Sequence, residues 1–149
     1  MRETTVTVVG NVATDVVLRQ TQDGTPVTSF GVVSNESRFD AKTESWVEGN
    51  KLFVWVSGWR LLARGAAESL KKGDPVIVAG RLRVEAYEKE GEKRTAVKVD
   101  ATAIGPNLAF CTADARRTAA EDVPPFLRAV DLDKVGREQL PPALSAIAG

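Results

Sequence analysis

Histidine is absent from the 149-residue sequence, and Cys111 is its only cysteine. Zinc sites need several His or Cys ligands, and Ser/His/Asp and Cys/His catalytic sites need a histidine, so the composition excludes them. Neither G-x-G-x-x-G nor G-x-x-x-x-G-K-[ST] occurs, which removes the usual phosphate loops of nucleotide-dependent enzymes. We therefore expect no enzyme, no metal and no cofactor.

The sequence also lacks a long apolar run and a net charge. No stretch approaches the roughly 18 apolar residues that a membrane span needs, and the opening Met-Arg-Glu-Thr-Thr lacks the apolar centre of a signal peptide. We therefore expect a cytoplasmic protein without a membrane partner. The 20 basic and 20 acidic residues cancel, so a nucleic-acid partner is indicated only if cations are concentrated on one face.

Five segments have the β-branched composition or the two-residue alternation of strands. The predicted strands cover residues 5–18, 27–33, 51–57, 75–86 and 95–104. The polar stretch from Ser34 to Asn50 is predicted to be a long loop. From Trp59 to Lys72 apolar residues recur at helical spacing, and Gly73 is predicted to stop this helix in a left-handed conformation.

Three strands, a helix and two further strands in this order predict an all-β fold. The arrangement is that of the OB-fold, a five-stranded Greek-key barrel, here with one helix between the third and fourth strands. Beyond Phe110 the sequence becomes rich in Ala and Pro, and only a short helix from Phe126 to Leu140 is indicated. We predict a domain over residues 1–110 and a C-terminal tail over residues 111–149, part of it disordered.

Two of the predicted strands carry aromatic and basic residues on the face opposite their aliphatic residues. This face holds Lys51, Phe53 and Trp55 in the third strand and Arg81, Arg83 and Tyr87 in the fourth. Proteins that hold single-stranded nucleic acid without a sequence code use stacking aromatics together with cations for the phosphates. The pattern therefore predicts an oligonucleotide-binding face.

The alternative is that Phe53, Trp55 and Tyr87 form a small second core covered by a protein partner, because exposed apolar patches often mark interfaces. The protein would then be an OB-fold interaction module of a primosome-like complex. Trp59, at the start of the predicted helix, fits a core position and a binding position equally. Phe30 lies among valines and is expected in the core.

Other aromatic and basic residues lie in segments predicted to be polar. Phe39 and Trp46 fall in the predicted loop, where an aromatic residue favours a binding role. In the last hairpin, Lys89, Lys93 and Arg94 are interleaved with glutamates. Solvated charge is the ordinary interpretation of such a segment, and DNA contact requires the carboxylates to point away from the phosphates.

Several short motifs follow one another along the chain, each occurring once. They are Val-Thr-Val-Val-Gly-Asn-Val at 6–12, Gly-Thr-Pro-Val at 24–27, Ala-Ala-Glu-Ser-Leu-Lys-Lys-Gly at 66–73, Val-Ile-Val-Ala-Gly-Arg-Leu-Arg at 76–83, Tyr-Glu at 87–88 and Gly-Glu at 91–92. With these motifs the sequence resembles the bacterial single-stranded DNA-binding proteins over residues 4–108. The resemblance implies binding and protection of single-stranded DNA in replication, recombination and repair.

The resemblance also implies roles for particular residues. Bases are expected to stack on Phe39, Phe53, Trp59 and Tyr87, and Trp55, which stands where the family usually has a polar residue, is an additional candidate. Independently of the resemblance, the positions of the basic residues lead us to expect phosphate contacts from Arg38, Lys51, Arg81, Arg83, Lys89, Lys93 and Arg94.

The resemblance implies a homotetramer, a dimer of dimers. It does not extend to the acidic, Phe-terminated tip with which the family recruits other proteins, because the chain ends in Pro-Pro-Ala-Leu-Ser-Ala-Ile-Ala-Gly. An internal Glu-Asp-Val-Pro-Pro-Phe at 121–126 is similar to such a tip. These features are typical of a short-tailed paralogue. Cys111 is a candidate for a disulfide between subunits, since a lone cysteine pairs only between chains, and an inert cytosolic thiol is the alternative.

Overall fold

The structure, a computed structural model, describes residues 2–118. Six strands and one helix follow one another in this part of the chain. They are β1 (Thr5–Val12), β2 (Val17–Gln20), β3 (Pro26–Asp40), β4 (Ser45–Trp59), α1 (Leu61–Ser69), β5 (Pro75–Lys89) and β6 (Glu92–Pro106). The helix predicted from Phe126 to Leu140 and the acidic segment 121–126 lie outside the described residues.

The strands form one sheet that closes on itself. Its order is β1-β5-β6-β4-β3-β2, and a further pairing of β1 with β3, through Asn11 and Val12, completes the barrel. The described pairings are antiparallel except a short parallel contact between β4 and β6. With β1 and β2 counted as halves of one bent strand, this is a five-stranded barrel with its helix between the third and fourth strands. The OB-fold prediction is confirmed.

The first predicted strand, residues 5–18, is divided in two because its ends pair with different neighbours. β1 pairs with β5 along most of its length, whereas β2 pairs with β3. The chain between them is fixed by Gly31: the Ala13 N–H donates to the Gly31 carbonyl at 2.8 Å, and the Gly31 N–H donates to Thr14 Oγ1 at 2.8 Å. At this bend the chain leaves its pairing with β5 and begins its pairing with β3.

The prediction of a long loop from Ser34 to Asn50 is wrong. β3 and β4 continue into a two-stranded hairpin, which we call the arm (residues 34–51), and only residues 41–44 form its turn. Pairing runs from Asn35 opposite Lys51 to Asp40 opposite Ser45, with an irregularity between Asn35 and Ser37. An isolated two-stranded ribbon has no buried face, so its sequence carries no apolar alternation to reveal it.

The barrel interior is filled by alternate strand residues. This core comprises Val8, Val12, Phe30, Val32, Val54, Val56, Val76, Val78 and Val99, with Ala66 and Leu70 from the helical segment. Phe30 is fully buried, as predicted. No helix within residues 2–118 is long and apolar enough to cross a membrane.

Helix α1 is shorter than the predicted helix at both ends. Trp59 still belongs to β4, and Arg60, with a φ of 59°, makes the turn from strand to helix. At the other end Leu70 is already extended, and Lys71 and Asp74 close a separate turn in which the Lys71 N–H donates to Asp74 Oδ2 at 2.9 Å. Gly73 has a positive φ of 99°, as expected, but it shapes this turn rather than the last turn of the helix.

Candidate nucleic-acid interface

The outward side of β4 carries a column of aromatic rings. Phe53, Trp55 and Trp59 are 42%, 41% and 43% exposed, whereas Val54 and Val56 between them are fully buried. Alternate residues of a strand lie on one face, about 6.6 Å apart. The predicted division of this strand into an aliphatic and an aromatic face is confirmed from Phe53 onward, whereas Leu52, predicted on the aliphatic face, is 45% exposed. The structure places Trp59 on the surface rather than in the core.

Two of these rings contact one another edge to face. The ring centroids of Phe53 and Trp55 are 5.3 Å apart, and the ring planes meet at 75°. This is a favoured geometry for aromatic pairs, and it orients both rings through mutual contact. Part of each ring remains accessible to a flat partner such as a base.

A groove of about 400 Å³ lies beside Trp55 on the outside of the barrel. We call it the Trp55–Tyr87 groove, after the two aromatic residues that line it. Three cations, Arg19, Arg83 and Lys98, and one carboxylate, Glu85, also line it. The groove therefore combines stacking surfaces with an excess of positive charge.

The register of the strands brings these residues together. Trp55 is opposite Lys98 across the parallel contact of β4 with β6, and Lys98 is opposite Arg83 across β6 and β5. Neighbouring strands lie about 4.8 Å apart, so these three side chains form a row across the outer face. Tyr87 is further along β5, on the same side of that strand as Arg83.

Sequence reasoning missed Arg19 and Lys98 as groove residues. Arg19 lies on β2 opposite Val27, which is itself opposite Trp59. Lys98 lies on β6 with its Cα opposite that of Trp55. Both positions depend on which strands are neighbours and in what register, and neither residue belongs to a local motif. Alternation within the last predicted strand was the only available signal for Lys98.

Arg81, predicted to bind phosphate, is already engaged by carboxylates. Its Nη2 atom lies 2.9 Å from Asp100 Oδ2, and its Nη1 atom lies 3.2 Å from Glu3 Oε1. The hydrogen bond to Asp100, followed by that to Glu3, raises the pKa of Arg81 above its ordinary value. Its charge is thus balanced by two acids from neighbouring segments.

Arg83 is held in a similar way from two sides. Its Nη1 atom lies 2.7 Å from Glu85 Oε1, and its Nη2 atom donates to Asp100 Oδ1 at 3.2 Å. Its Nε atom is 2.8 Å from Asp100 Oδ2, but the angle is unsuitable for a hydrogen bond, so this contact is purely an ion pair. Arg83 is therefore fixed in the groove wall.

Two carboxylates of this network, Asp100 and Glu85, have pKa values below the ordinary value and stay ionised at neutral pH. Partial burial raises the pKa of Asp100, but hydrogen bonds from Arg81 and Arg83 outweigh burial and lower the pKa below its usual range. The hydrogen bond from Lys98 lowers the pKa of Glu85, and Lys98 Nζ is 2.8 Å from Glu85 Oε2. The network is a set of charged pairs that neutralise much of the positive charge beside the groove.

The remaining predicted phosphate ligands divide into two groups. Lys51 pairs with Glu48 at 3.3 Å and Arg94 with Glu92 at 3.5 Å, but both pairs are exposed, and such pairs are weak. Within residues 2–118, no ion pair involves Arg38, Lys89 or Lys93, and these three cations are exposed on the two long hairpins.

The arm carries a second aromatic pair. Phe39 and Trp46 are directly opposite in the β3–β4 register, with ring centroids 5.7 Å apart and planes at 66°. Trp46 is 71% exposed, the most of any aromatic residue on the strands. A large ring this open on a polar hairpin fits the predicted binding role of this segment.

Cys111 follows the barrel and is half-buried. Its thiol donates to the Asn107 carbonyl at 3.3 Å, and it is a free cysteine in the single chain. The disulfide between subunits stays a prediction.

A closed OB barrel with an aromatic and cationic outer face defines a binding protein for oligonucleotides or oligosaccharides. The model of the single-strand binding protein family matches residues 3–106. The chain belongs to this family, which is a DNA-binding family and not an enzyme class, and the resemblance stated from the sequence is confirmed.

Individual relatives support the assignment. A single-stranded DNA-binding protein of Paenarthrobacter aurescens is 45% identical over 117 residues, which cover 78% of this chain and 68% of that protein. The crystal structure of a small single-stranded DNA-binding protein from Streptomyces coelicolor is similar with a TM-score of 0.68 and 40% identity, covering 73% of this chain and 98% of that one. The second single-stranded DNA-binding protein of Mycobacterium smegmatis gives a TM-score of 0.60 and 39% identity, covering 78% and 100%.

Proposed function

We propose that this protein binds single-stranded DNA without a sequence code and protects exposed strands in replication, recombination and repair, without catalysing a reaction. One observation carries the proposal: the Trp55–Tyr87 groove brings two stacking rings together with Arg19, Arg83 and Lys98 on the outer face of the barrel. Family membership supports the same conclusion.

Binding combines stacking with phosphate contacts. Each stacked base contributes roughly 1–3 kcal/mol, and every base has a flat face, so the affinity depends little on sequence. We assign stacking to Phe53, Trp55 and Trp59 on β4, to Tyr87 on β5 and to Phe39 on the arm. These five rings are 41–55% exposed, so part of each is accessible to a base.

The phosphate ligands that best fit the structure are the cations without a carboxylate partner. Arg38 on the arm and Lys89 and Lys93 on the β5–β6 hairpin meet this condition within the described residues. Arg83 contributes from the groove wall, and Lys51 and Arg94 from weak exposed pairs. Arg81, held by two acids, acts mainly by fixing Asp100.

We propose that the protein works as a homotetramer, a dimer of dimers, in the cytoplasm and on the nucleoid. Val9 and Ile77, which are opposite one another in β1 and β5, form an exposed apolar spot on the outside of the barrel, and a second copy would remove it from water. Residues 1–110 would be the DNA-binding domain and residues 111–149 an appended tail. Two solved relatives are described as a small and as a second single-stranded DNA-binding protein of their organisms, which supports the proposal that this chain is a paralogue of that kind.

Cys111 would join two subunits through a disulfide in this assembly. Non-reducing electrophoresis should show a dimer that a reductant converts to monomer, while Cys111→Ser should show monomer only. A monomer band before reduction, together with full labelling of the thiol, would overturn this assignment.

The DNA-binding proposal is tested by the anisotropy of labelled oligo(dT), compared with a duplex of equal length. The wild-type protein should bind oligo(dT) with saturation and bind the duplex much more weakly. If the folded wild-type protein binds no oligonucleotide, the result would instead favour the interaction module, in which the exposed aromatic face contacts a protein.

A further inference from the structure

We propose that Glu85 is an internal competitor of the DNA phosphates: it occupies the cations of the Trp55–Tyr87 groove in the free protein and has to be displaced when DNA binds. This inference rests on the proposed function, because it concerns the same groove. It assigns to a carboxylate the role of limiting affinity for single-stranded DNA.

The two oxygens of Glu85 are divided between two cations. Oε1 lies 2.7 Å from Arg83 Nη1, and Oε2 lies 2.8 Å from Lys98 Nζ. Glu85 is also the one carboxylate that lines the groove within residues 2–118, next to Trp55 and Tyr87. A negative group therefore stands where a phosphate beside a stacked base would lie.

Asp100 binds cations in the same network but has a different position. Its side chain is only 20% exposed and does not line the groove, whereas the side chain of Glu85 is 44% exposed and does. Asp100 therefore holds Arg81 and Arg83 in place from behind. Glu85 faces the ligand and is the carboxylate that DNA can displace.

A phosphate that enters the groove can bind in one of two ways, and Glu85 opposes both. It displaces Glu85 from Lys98, which costs the free energy of that ion pair, or it binds beside Glu85 and is repelled by its charge. Both options weaken binding compared with the same groove without the carboxylate. Since Asp100 still holds Arg83, neutralising Glu85 leaves the groove wall in place and frees Lys98 for DNA.

The test compares Glu85→Gln with Glu68→Gln as a matched control. Glu68→Gln removes the same charge from the exposed side of α1, and Glu68 does not line the groove and forms no ion pair in the described part of the chain. Glu85→Gln should bind oligo(dT) about two- to five-fold more tightly, the range expected for removing a partly exposed charge pair. Glu68→Gln should stay close to the wild-type affinity.

The salt dependence gives an independent readout. If Lys98 becomes an additional phosphate contact, the slope of log K against log salt should become more negative by about 0.7 in Glu85→Gln. The loss caused by Lys98→Gln should also be larger in the Glu85→Gln background than in the wild type, because only there is Lys98 free of its carboxylate.

The outcomes separate the two proposals. If the wild type fails to bind oligo(dT), the proposed function itself is wrong. If the wild type binds but Glu85→Gln binds no more tightly than Glu68→Gln, or the slope is unchanged, the competitor role is overturned. Circular dichroism checks folding of each variant, and Glu85→Ala, which carries the same expectation, replaces the glutamine variant if that one does not fold.

Discussion

The ring of Phe53 lies directly against the backbone of Gly31 on the neighbouring strand. A methyl group at Gly31 would come within 2.5 Å of the Phe53 Cζ atom. Gly31 has little room to retreat, because its N–H donates to Thr14 and its carbonyl accepts from Ala13. The absence of a side chain at Gly31 therefore leaves room for the ring of Phe53, a proposed stacking residue.

Gly31→Ala should move the Phe53 ring and weaken DNA binding. We expect a loss of about 1–3 kcal/mol in the free energy of unfolding from overpacking, together with weaker oligo(dT) binding. Urea denaturation at fixed protein concentration and anisotropy measure the two effects. Gly65→Ala is the control, because Gly65 lies in α1 and, apart from its chain neighbours and the backbone of its own helix, no atom lies within 4 Å of the added methyl group. This variant should gain up to about 1 kcal/mol of stability and bind normally. Equal behaviour of the two variants would contradict the role of Gly31.

Local periodicity was sufficient to predict the faces of the central strands where they line the barrel core, but Leu52 and Val84, on the faces predicted to be aliphatic, are 45% and 60% exposed. Phe30, Val54 and Val56 are buried and Phe53 and Trp55 are exposed, because a strand with one face on the core must alternate. The order of strands and helix likewise defined the fold class before any register was known.

The rest of the site depends on contacts between distant segments. Arg19 and Lys98 enter the groove through the β2–β3 and β4–β6 pairings, and the partners of Arg83 come from both β5 and β6. A single sequence carries no signal for such cross-strand neighbours. The arm was missed because a ribbon without a buried face has no apolar alternation.

Substitution of the outer aromatic residues should weaken DNA binding, whereas substitution of an aromatic residue in the core should lower stability. Trp55→Ala and Tyr87→Ala should each lose roughly 1–3 kcal/mol of oligo(dT) binding while the unfolding midpoint changes little. Phe30→Ala, at a fully buried position, should lose about 3–5 kcal/mol of stability. Unfolding curves and binding isotherms of the three variants check this. A large loss of stability in Trp55→Ala without a binding defect would support the second-core interpretation.

Arg19 should act as a phosphate ligand although no motif identified it. Arg19→Gln should reduce the magnitude of the log K against log salt slope by about 0.7, the loss of one phosphate contact on a single strand. Arg64→Gln removes the same charge from the exposed side of α1, outside the groove, and should leave the slope unchanged. Identical slopes for both variants would exclude Arg19 from the DNA contact.

The ion-pair network predicts how stability falls in acid. The pKa values of Asp100 and Glu85 are lower in the folded chain than in the unfolded chain. Their contribution is therefore complete above the ordinary carboxyl pKa near 4 and is lost as the pH falls through the lower folded values. Asp100→Asn should cost about 1 kcal/mol at pH 7, and the difference from wild type should shrink towards pH 3. A difference that stays constant with pH, in urea denaturation, would contradict this account.

The central claim is that the outer aromatic face stacks bases, and the fluorescence of Trp55 tests it most directly. A Trp46→Phe/Trp59→Phe variant retains Trp55 as its only tryptophan. Titration with oligo(dT) at physiological ionic strength should quench this fluorescence strongly and with saturation, while a duplex of equal length should not. If oligo(dT) leaves the Trp55 fluorescence unchanged although the variant is folded, the groove does not hold bases and the aromatic face has to be assigned to a protein partner.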